Sequence, residues 1–475
     1  VERLSGLDAM FLYLETPSAH LHVAAVFVLD PSSAPAGFGF EQVRGIVARR
    51  LPLAPPFRRR LLEVPLGLHH PVWVEDPHFD LDFHVRRASL PRPGGAQELA
   101  ELVAHLVALP LDRRRPLWEL YLVEGLEGDR YALVTKVHHA AIDGVSGAEL
   151  TAALLDLAPD GAREEVADPW APERLPTDVE LFAQALGSLA RQPLAAVRAA
   201  RRVVEAALHV SERNREAGVE PPPAPFSAPR TSLNQSITPH RRVAFSRASL
   251  AELKAVKRHF GCTVNDVVLA VCAGALRRYL LAGGELPDVP LVALVPVSVR
   301  TGDEKAGMGN RLSAMLVALP TEVEDPVARL GAIAEGTRRA KEQERLIGAE
   351  TLTDWTEFAF PALIGRAARL TSSMRVFDRV RPAFNVTISN VPGPRFSLYL
   401  AGARLEAVYP LGPIVDGVGL NMTVMSYRDD VFFGLLGCRD VVSRIGELPG
   451  AIEASLAELL GAGPGAAPRP RAGRR

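Results

Sequence analysis

Cysteine is scarce in this sequence. Cys262, Cys272 and Cys438 are the only three among 475 residues. They sit within apolar runs such as VVLAVCAGAL and form no CxxC pair. Buried free thiols in a reducing compartment are expected, which argues against a disulfide scaffold and a zinc site. Long apolar runs are missing too. The longest, Val267 to Leu276, falls short of the roughly 18 residues a spanning helix needs. Charge of one sign is absent: 54 basic residues face 55 acidic ones, for a formal net charge of -1. There is no global polycation to hold nucleic acid. The opening VERLSGLDAMFLYLE carries charges where the apolar part of a secretory signal would lie, so no signal is expected there. These absences predict a cytoplasmic protein, soluble or peripheral on a membrane or lipid inclusion, with no nucleic-acid partner.

What is present is alternation. In residues 1–158, HLHVAAVFVLD reads as a strand and FEQVRGIVARRL as an amphipathic helix. QELAELVAHLVALPL reads as a second helix, stopped near Pro110. WELYLVEGL and RYALVTKVHH read as two strands joined by the turn-like EGDR, and VSGAELTAALLDL as a helix after them. Residues 159–230 are Pro-rich pieces around a long Ala/Arg-rich helical stretch, and read as a linker. Its basic face is either solvated or in contact with an anionic lipid surface. Residues 231–460 repeat the alternation. AELKAVKRHFG and TVNDVVLAVCAGALRRYLLAGG are helices there, and VPLVALVPVSVR, RLSAMLVALP, FNVTISNV, GVGLNMTVMSY and DVFFGLLG are strand candidates. Residues 461–475 are a Gly/Pro/Arg-rich tail expected to be disordered. The expected architecture is two α/β (α+β) units joined by a long linker, with a cleft between them.

The stretch TKVHHAAIDGVSG, Thr135 to Gly147, places two of the 12 histidines side by side, four residues before Asp143-Gly144. Histidine is the side chain best placed to take and return a proton near neutral pH. At a strand end it projects from a rigid element. Asp143 either holds the imidazole or pins the loop by an ion pair, and Gly144 permits a tight turn. Two satisfied core histidines are the plain alternative. Chance, however, supplies these four fixed letters in roughly one chain in a thousand of this length. A metal site built on His138, His139 and Asp143 is disfavoured, because adjacent strand residues point to opposite faces. A serine-hydrolase elbow is disfavoured as well. GVSGA ends in Ala148, and Ser146 reads more simply as a helix N-cap.

HHAAIDG resembles the HHxxxDG motif of the CoA-dependent acyltransferase superfamily. Further stretches resemble its bacterial wax ester synthase/diacylglycerol acyltransferase branch: LSGLDAMFLYLET, the Pro116-Leu117-Trp118 of RPLWELYLVEGL, the Asn265-Asp266 of TVNDVVLA, NVTISNVPGP and YPLGPIVDGVGLNMTV. The resemblance runs from Leu4 to about Leu460, in the family order. It implies two chloramphenicol-acetyltransferase-like units and an O-acyltransferase that moves a long-chain acyl group from acyl-CoA to a fatty alcohol or diacylglycerol. It implies His139 as general base, with no covalent intermediate, and His138 as support for the loop. Asp143 would make a structural ion pair with Arg300. Asn265 would stabilise the oxyanion or orient the acceptor, unless it only caps a helix, and Asp266 would support the site. Pro116, Leu117 and Trp118 would line a substrate tunnel or pack the core. Ser389 and Asn390 would shape the cleft wall, unless Pro392-Gly393-Pro394 is simply a turn. No metal or prosthetic group is implied: acyl-CoA is a substrate and CoA a product.

Two rivals remain. A condensation-type or polyketide-associated acyltransferase shares HHxxxDG, but Pro-Leu-Trp and Asn-Asp favour the lipid branch. A silent lipid-binding protein on the same scaffold has no reason to keep the base.

Overall fold

The computed structural model describes residues 2–34, 37–141, 154–161, 174–189, 226–298, 312–347 and 361–462. Asp143, Gly144, Arg300 and Ser146 lie outside these residues. So do most of the helix expected after the double histidine, most of the linker, and the tail from 463 on.

The chain opens with β1 (Glu2–Arg3), α1 (Gly6–Tyr13) and β2 (His22–Asp30). Next come α2 (Phe40–Arg50), β3 (Arg59–Leu62), β4 (Val72–Glu75), the single turn α3 (Leu81–His84) and β5 (Val85–Ser89). α4 (Ala96–Ala108), β6 (Trp118–Leu126) and β7 (Arg130–His138) follow. After α5 (Asp178–Leu189) the second half begins with β8 (Arg241–Ser249), α6 (Leu250–Phe260), α7 (Val264–Ala282), β9 (Leu291–Ser298) and β10 (Leu312–Leu319). It continues through α8 (Pro326–Ile347), α9 (Pro361–Ser373), β11 (Val386–Val391), β12 (Tyr399–Leu400) and β13 (Ala403–Leu411). It closes with β14 (Leu420–Tyr427), β15 (Asp430–Cys438) and α10 (Leu448–Gly461).

Two six-stranded sheets carry the fold, ordered β12-β13-β2-β7-β6-β5 and β10-β9-β11-β14-β15-β8. The expected split near residue 231 does not partition them. β12 and β13 belong to the second half by sequence, yet β13 pairs antiparallel with β2, from Arg404 opposite Asp30 to Leu411 opposite Ala24. The reason is edge protection: without β13, the apolar β2 would present an unpaired edge. The opposite loan covers the second sheet, whose edge strand β8 packs against α4 of the first half. One buried cluster therefore holds Val103 and Val107 of α4 together with Val243 and Ala248 of β8.

The sheets meet at β13. Tyr427 of β14 donates its hydroxyl to the Leu405 carbonyl (3.1 Å) and accepts from the Leu398 amide (2.9 Å). Gly434 of β15 lies so close that a Cβ there would stand 1.8 Å from the Pro410 carbonyl oxygen. At the centre of the second half, α7 is apolar on every face and buries Val267 to Leu276 without a break, which fits a core helix rather than a surface one. No single described helix is long and apolar enough to cross a membrane. All three cysteines are free thiols. Cys272 and Cys438 are buried as expected, but Cys262 is only half-buried because it sits in the turn between α6 and α7.

Candidate active site

β7 delivers both histidines. Its last residue, His138, lies opposite His22 of β2, and its amide donates to the Leu117 carbonyl at 3.0 Å. The His139 amide donates to the Leu21 carbonyl at 3.0 Å, and a 3-10 turn then runs from His139 to Ala141. Leu21 holds that carbonyl from a left-handed backbone, φ 47°, a sparsely populated conformation for a bulky residue.

His138 is fully committed. Its Nδ1 accepts from the Ala140 amide at 3.0 Å, so its proton sits on Nε2, which donates to Glu15 Oε1 at 3.0 Å. The other oxygen of Glu15 accepts from Arg113 Nε at 2.9 Å, and Arg113 also donates to the Leu12 carbonyl at 2.7 Å. Burial pushes the Glu15 carboxyl up, but the hydrogen bond from His138 and the charge and hydrogen bond of Arg113 outweigh it and hold it below its ordinary range. The chain Arg113–Glu15–His138–Ala140 thus clamps the turn that carries His139. His22 lies beside it, Nε2 3.8 Å from Glu15, fully buried with neither ring nitrogen hydrogen-bonded. Burial first, then the nearby His138 and Lys136, drive its pKa well down.

His139 is held differently. Its ring stacks on Phe11 of α1, with centroids 3.9 Å apart and planes at 15°. Its Nδ1 is sealed from solvent and has no hydrogen-bond partner, while the residue as a whole keeps some exposed surface. Burial lowers its pKa to about 4. The ring is therefore neutral near pH 7, with one nitrogen free to accept a further proton.

α1 makes this possible because it is stopped and started locally. Ser5 caps it, accepting from the Asp8 amide at 3.1 Å, and Asp8 adds favourable charge in the first turn. Phe11 and Glu15 were not singled out from the sequence. Glu15 finds its partner 123 residues away, which no local pattern encodes. The only hint was an acid closing an otherwise apolar helical run, FLYLE.

The Pro116-Leu117-Trp118 stretch lies inside the fold. All three residues are buried. The Trp118 indole N–H donates to the Phe57 carbonyl at 2.7 Å and the ring stacks on His84 at 4.4 Å, so both faces of its chemistry are used internally. Trp118 also borders a small apolar cavity, together with Phe57 and Leu154. Leu117 matters through its carbonyl, which seats His138.

Asn265 and Asn390 come together on α7 and β11: Asn390 Nδ2 donates to Asn265 Oδ1 at 3.2 Å. Both are half-buried, as is Ser389. This bond leaves the Asn265 amide nitrogen uncommitted among the described residues. Asp266 is structural. It accepts from the Thr263 amide at 2.8 Å in a capping box and from the Thr337 hydroxyl at 2.6 Å, tying α7 to α8. Gly393 of the Pro-Gly-Pro segment packs on β14, where its amide donates to Ser426 Oγ at 3.1 Å. Among the described residues, no three His, Cys, Asp or Glu side chains gather as metal ligands would.

Residues 4–268 match the model of the wax ester synthase/diacylglycerol acyltransferase catalytic domain, and residues 308–460 match that of the family's C-terminal domain. The chain belongs to this family. It is an acyltransferase with the family's two-unit α/β fold, whose acyl donor is acyl-CoA and whose products are wax ester or triacylglycerol. A Mycobacterium tuberculosis protein provisionally named as a diacylglycerol O-acyltransferase is 39% identical over 461 residues, covering 97% of this chain and 90% of that one. Another from the same species, with the same provisional name, is 40% identical over 469 residues, covering 97% and 98%. The solved wax ester synthase/diacylglycerol acyltransferase of Marinobacter aquaeolei superposes with a TM-score of 0.67 at 34% identity, over 96% of this chain and 98% of that one. The first condensation domain of the calcium-dependent antibiotic synthetase shares the fold at a TM-score of 0.57 and 17% identity, over 98% and 97%.

Proposed function

We propose that His139 is the general base of this acyl transfer. The observation that carries the proposal is its state: a neutral imidazole with Nδ1 sealed, stacked on Phe11, on a turn clamped through His138. Only Nε2 is then left to meet a substrate. As the acceptor hydroxyl oxygen attacks the thioester carbonyl, its proton passes to Nε2 and negative charge develops on the former carbonyl oxygen. An imidazole with a pKa near 4 is a weak base at rest. The growing oxyanion beside it favours the imidazolium and raises that pKa where it matters. Collapse of the tetrahedral intermediate breaks the C–S bond, and the departing CoA thiolate takes the proton back. The step needs no metal, prosthetic group or enzyme nucleophile.

Asn265 offers its amide N–H, uncommitted among the described residues, to the oxyanion or to the acceptor oxygen. Leu117 supports His138 through its backbone. The acceptors are long-chain alcohols and diacylglycerols. Because these reside in membranes and inclusions, the enzyme works in the cytoplasm at a lipid surface. Product chromatography with palmitoyl-CoA and, in parallel, hexadecanol, a diacylglycerol and a carrier-bound amine tests the acceptor class. Ester from both lipid alcohols and nothing from the amine is expected. Transfer to the amine alone would move the protein to the condensation branch.

A further inference from the structure

α9 meets α1 at a small residue: Gly365 is buried, and a Cβ there would stand 3.6 Å from the Tyr13 carbonyl at the end of α1. Arg369 curls over Gly365, its guanidinium 3.3 Å from that Cβ position, and beside it Arg366, Arg369 and Leu370 are exposed at i, i+3, i+4 spacing, with Leu370 at 59%. The chain beyond α9 continues the pattern. Met374 is 56% exposed and Val380 39%, beside the exposed Arg379 and Arg381. This is not a loose loop. Phe377 packs against Gly417, where a Cβ would meet its ring at 2.8 Å, and Asp378 accepts from the Ser236 amide and from Arg375, each at 2.7 Å.

Three large apolar side chains are thus held in water by a rigid frame. Around them stand Arg366, Arg369, Arg379 and Arg381, with no ion pair among the described residues. From 361 to 381 the sequence has five arginines and one acid, Asp378, which is already committed to Arg375. In a chain whose net charge is -1 this is a local concentration, not a general excess. Single exposed apolar residues need no explanation, but a group of them among guanidinium groups that have no ion pair among the described residues does. An anionic lipid surface satisfies both halves: phosphates meet the arginines, and the acyl boundary takes Leu370, Met374 and Val380.

We propose that this face of α9 and its following turn docks the enzyme on an anionic lipid surface. The proposal rests on the reading that the acceptors are lipid alcohols, and it names the side from which they arrive. α9 packs on α1, and α1 carries the Phe11 on which His139 stacks. The docked membrane is therefore one helix away from the base. The surface differs from the linker helix that the sequence suggested, which lies outside the described residues.

The test is co-sedimentation of the full chain with vesicles of phosphatidylcholine alone and of phosphatidylcholine with about 30 mol% phosphatidylglycerol. Wild type should bind the anionic vesicles preferentially and lose binding as salt rises. The variant Arg366→Gln/Arg369→Gln/Arg379→Gln/Arg381→Gln should bind them at least roughly tenfold more weakly. Leu370→Ser/Met374→Ser should also weaken binding, and both variants should keep wild-type thermal unfolding and wild-type turnover in detergent. Equal binding by wild type and both variants would overturn the proposal, as would equal binding to neutral and anionic vesicles. If Leu370→Ser/Met374→Ser instead abolished self-association in light scattering and left vesicle binding intact, the face would belong to a second copy. Esterification of hexadecanol in detergent by a wild type that binds no vesicle would sink the docking surface alone. Vesicle binding without any lipid-alcohol ester would sink the acceptor reading alone.

Discussion

His139 has a folded-state pKa of about 4 against an ordinary 6.5, and two consequences follow at this one residue. The free enzyme keeps its base unprotonated far below neutrality, so the acidic limb of kcat/KM should fall near pH 4 to 5. A limb centred near pH 6.5 would mean an exposed, unperturbed imidazole. Stability moves in the same direction. The unfolded imidazole binds its proton first, so this residue's contribution is complete above about pH 6.5 and is lost as pH falls through the folded value of about 4. Glu15 acts through His138 rather than on substrate. Glu15→Ala removes a charge-assisted bond from a buried imidazole and should cost about 2 kcal/mol in thermal or urea unfolding. Glu15→Gln keeps an acceptor for His138 Nε2. It should therefore recover most of the lost stability and lower kcat more than it raises KM. Equal kinetics for Ala, Gln and wild type would remove Glu15 from the positioning of the turn.

At the scale of elements, the decisive contact is β13 against β15. Gly434 faces a backbone carbonyl with nothing flexible between them, so Gly434→Ala must part the sheets. A loss of about 1–3 kcal/mol is expected, read as a lowered denaturation midpoint at unchanged m-value. An unaltered midpoint would show that the seam is looser than its geometry. This seam was not legible in the sequence. The clean strands were: β2, β6, β7, β11, β14 and β15 alternate or run apolar between turns, and all were expected near their observed positions. β13 escaped because a bulge between Leu405 and Ala407 breaks its two-residue period and because Glu406 and Pro410 interrupt its apolar run. The histidine pair was legible as chemistry because its residue types are rare and closely spaced. Glu15, Phe11 and the strained Leu21 were not, because their roles exist only after α1 and β2 have folded against β7.

At the scale of the molecule, each half lends the other an element. β13 completes the first sheet, α4 covers the second, and one apolar core runs through both. The active turn lies between these loans: β7 is flanked by β2, and β2 is flanked by β13. The base is thus held by the whole chain, and a local substitution at His139 should leave the global transition in place. That makes a clean comparison available. The most direct test measures release of CoA from palmitoyl-CoA in the presence of hexadecanol, for wild type and for His139→Ala showing the same single cooperative unfolding transition. Loss of turnover by roughly 10²–10⁴-fold is expected from removal of a general base. Near-wild-type CoA release by the folded His139→Ala protein would contradict the mechanism.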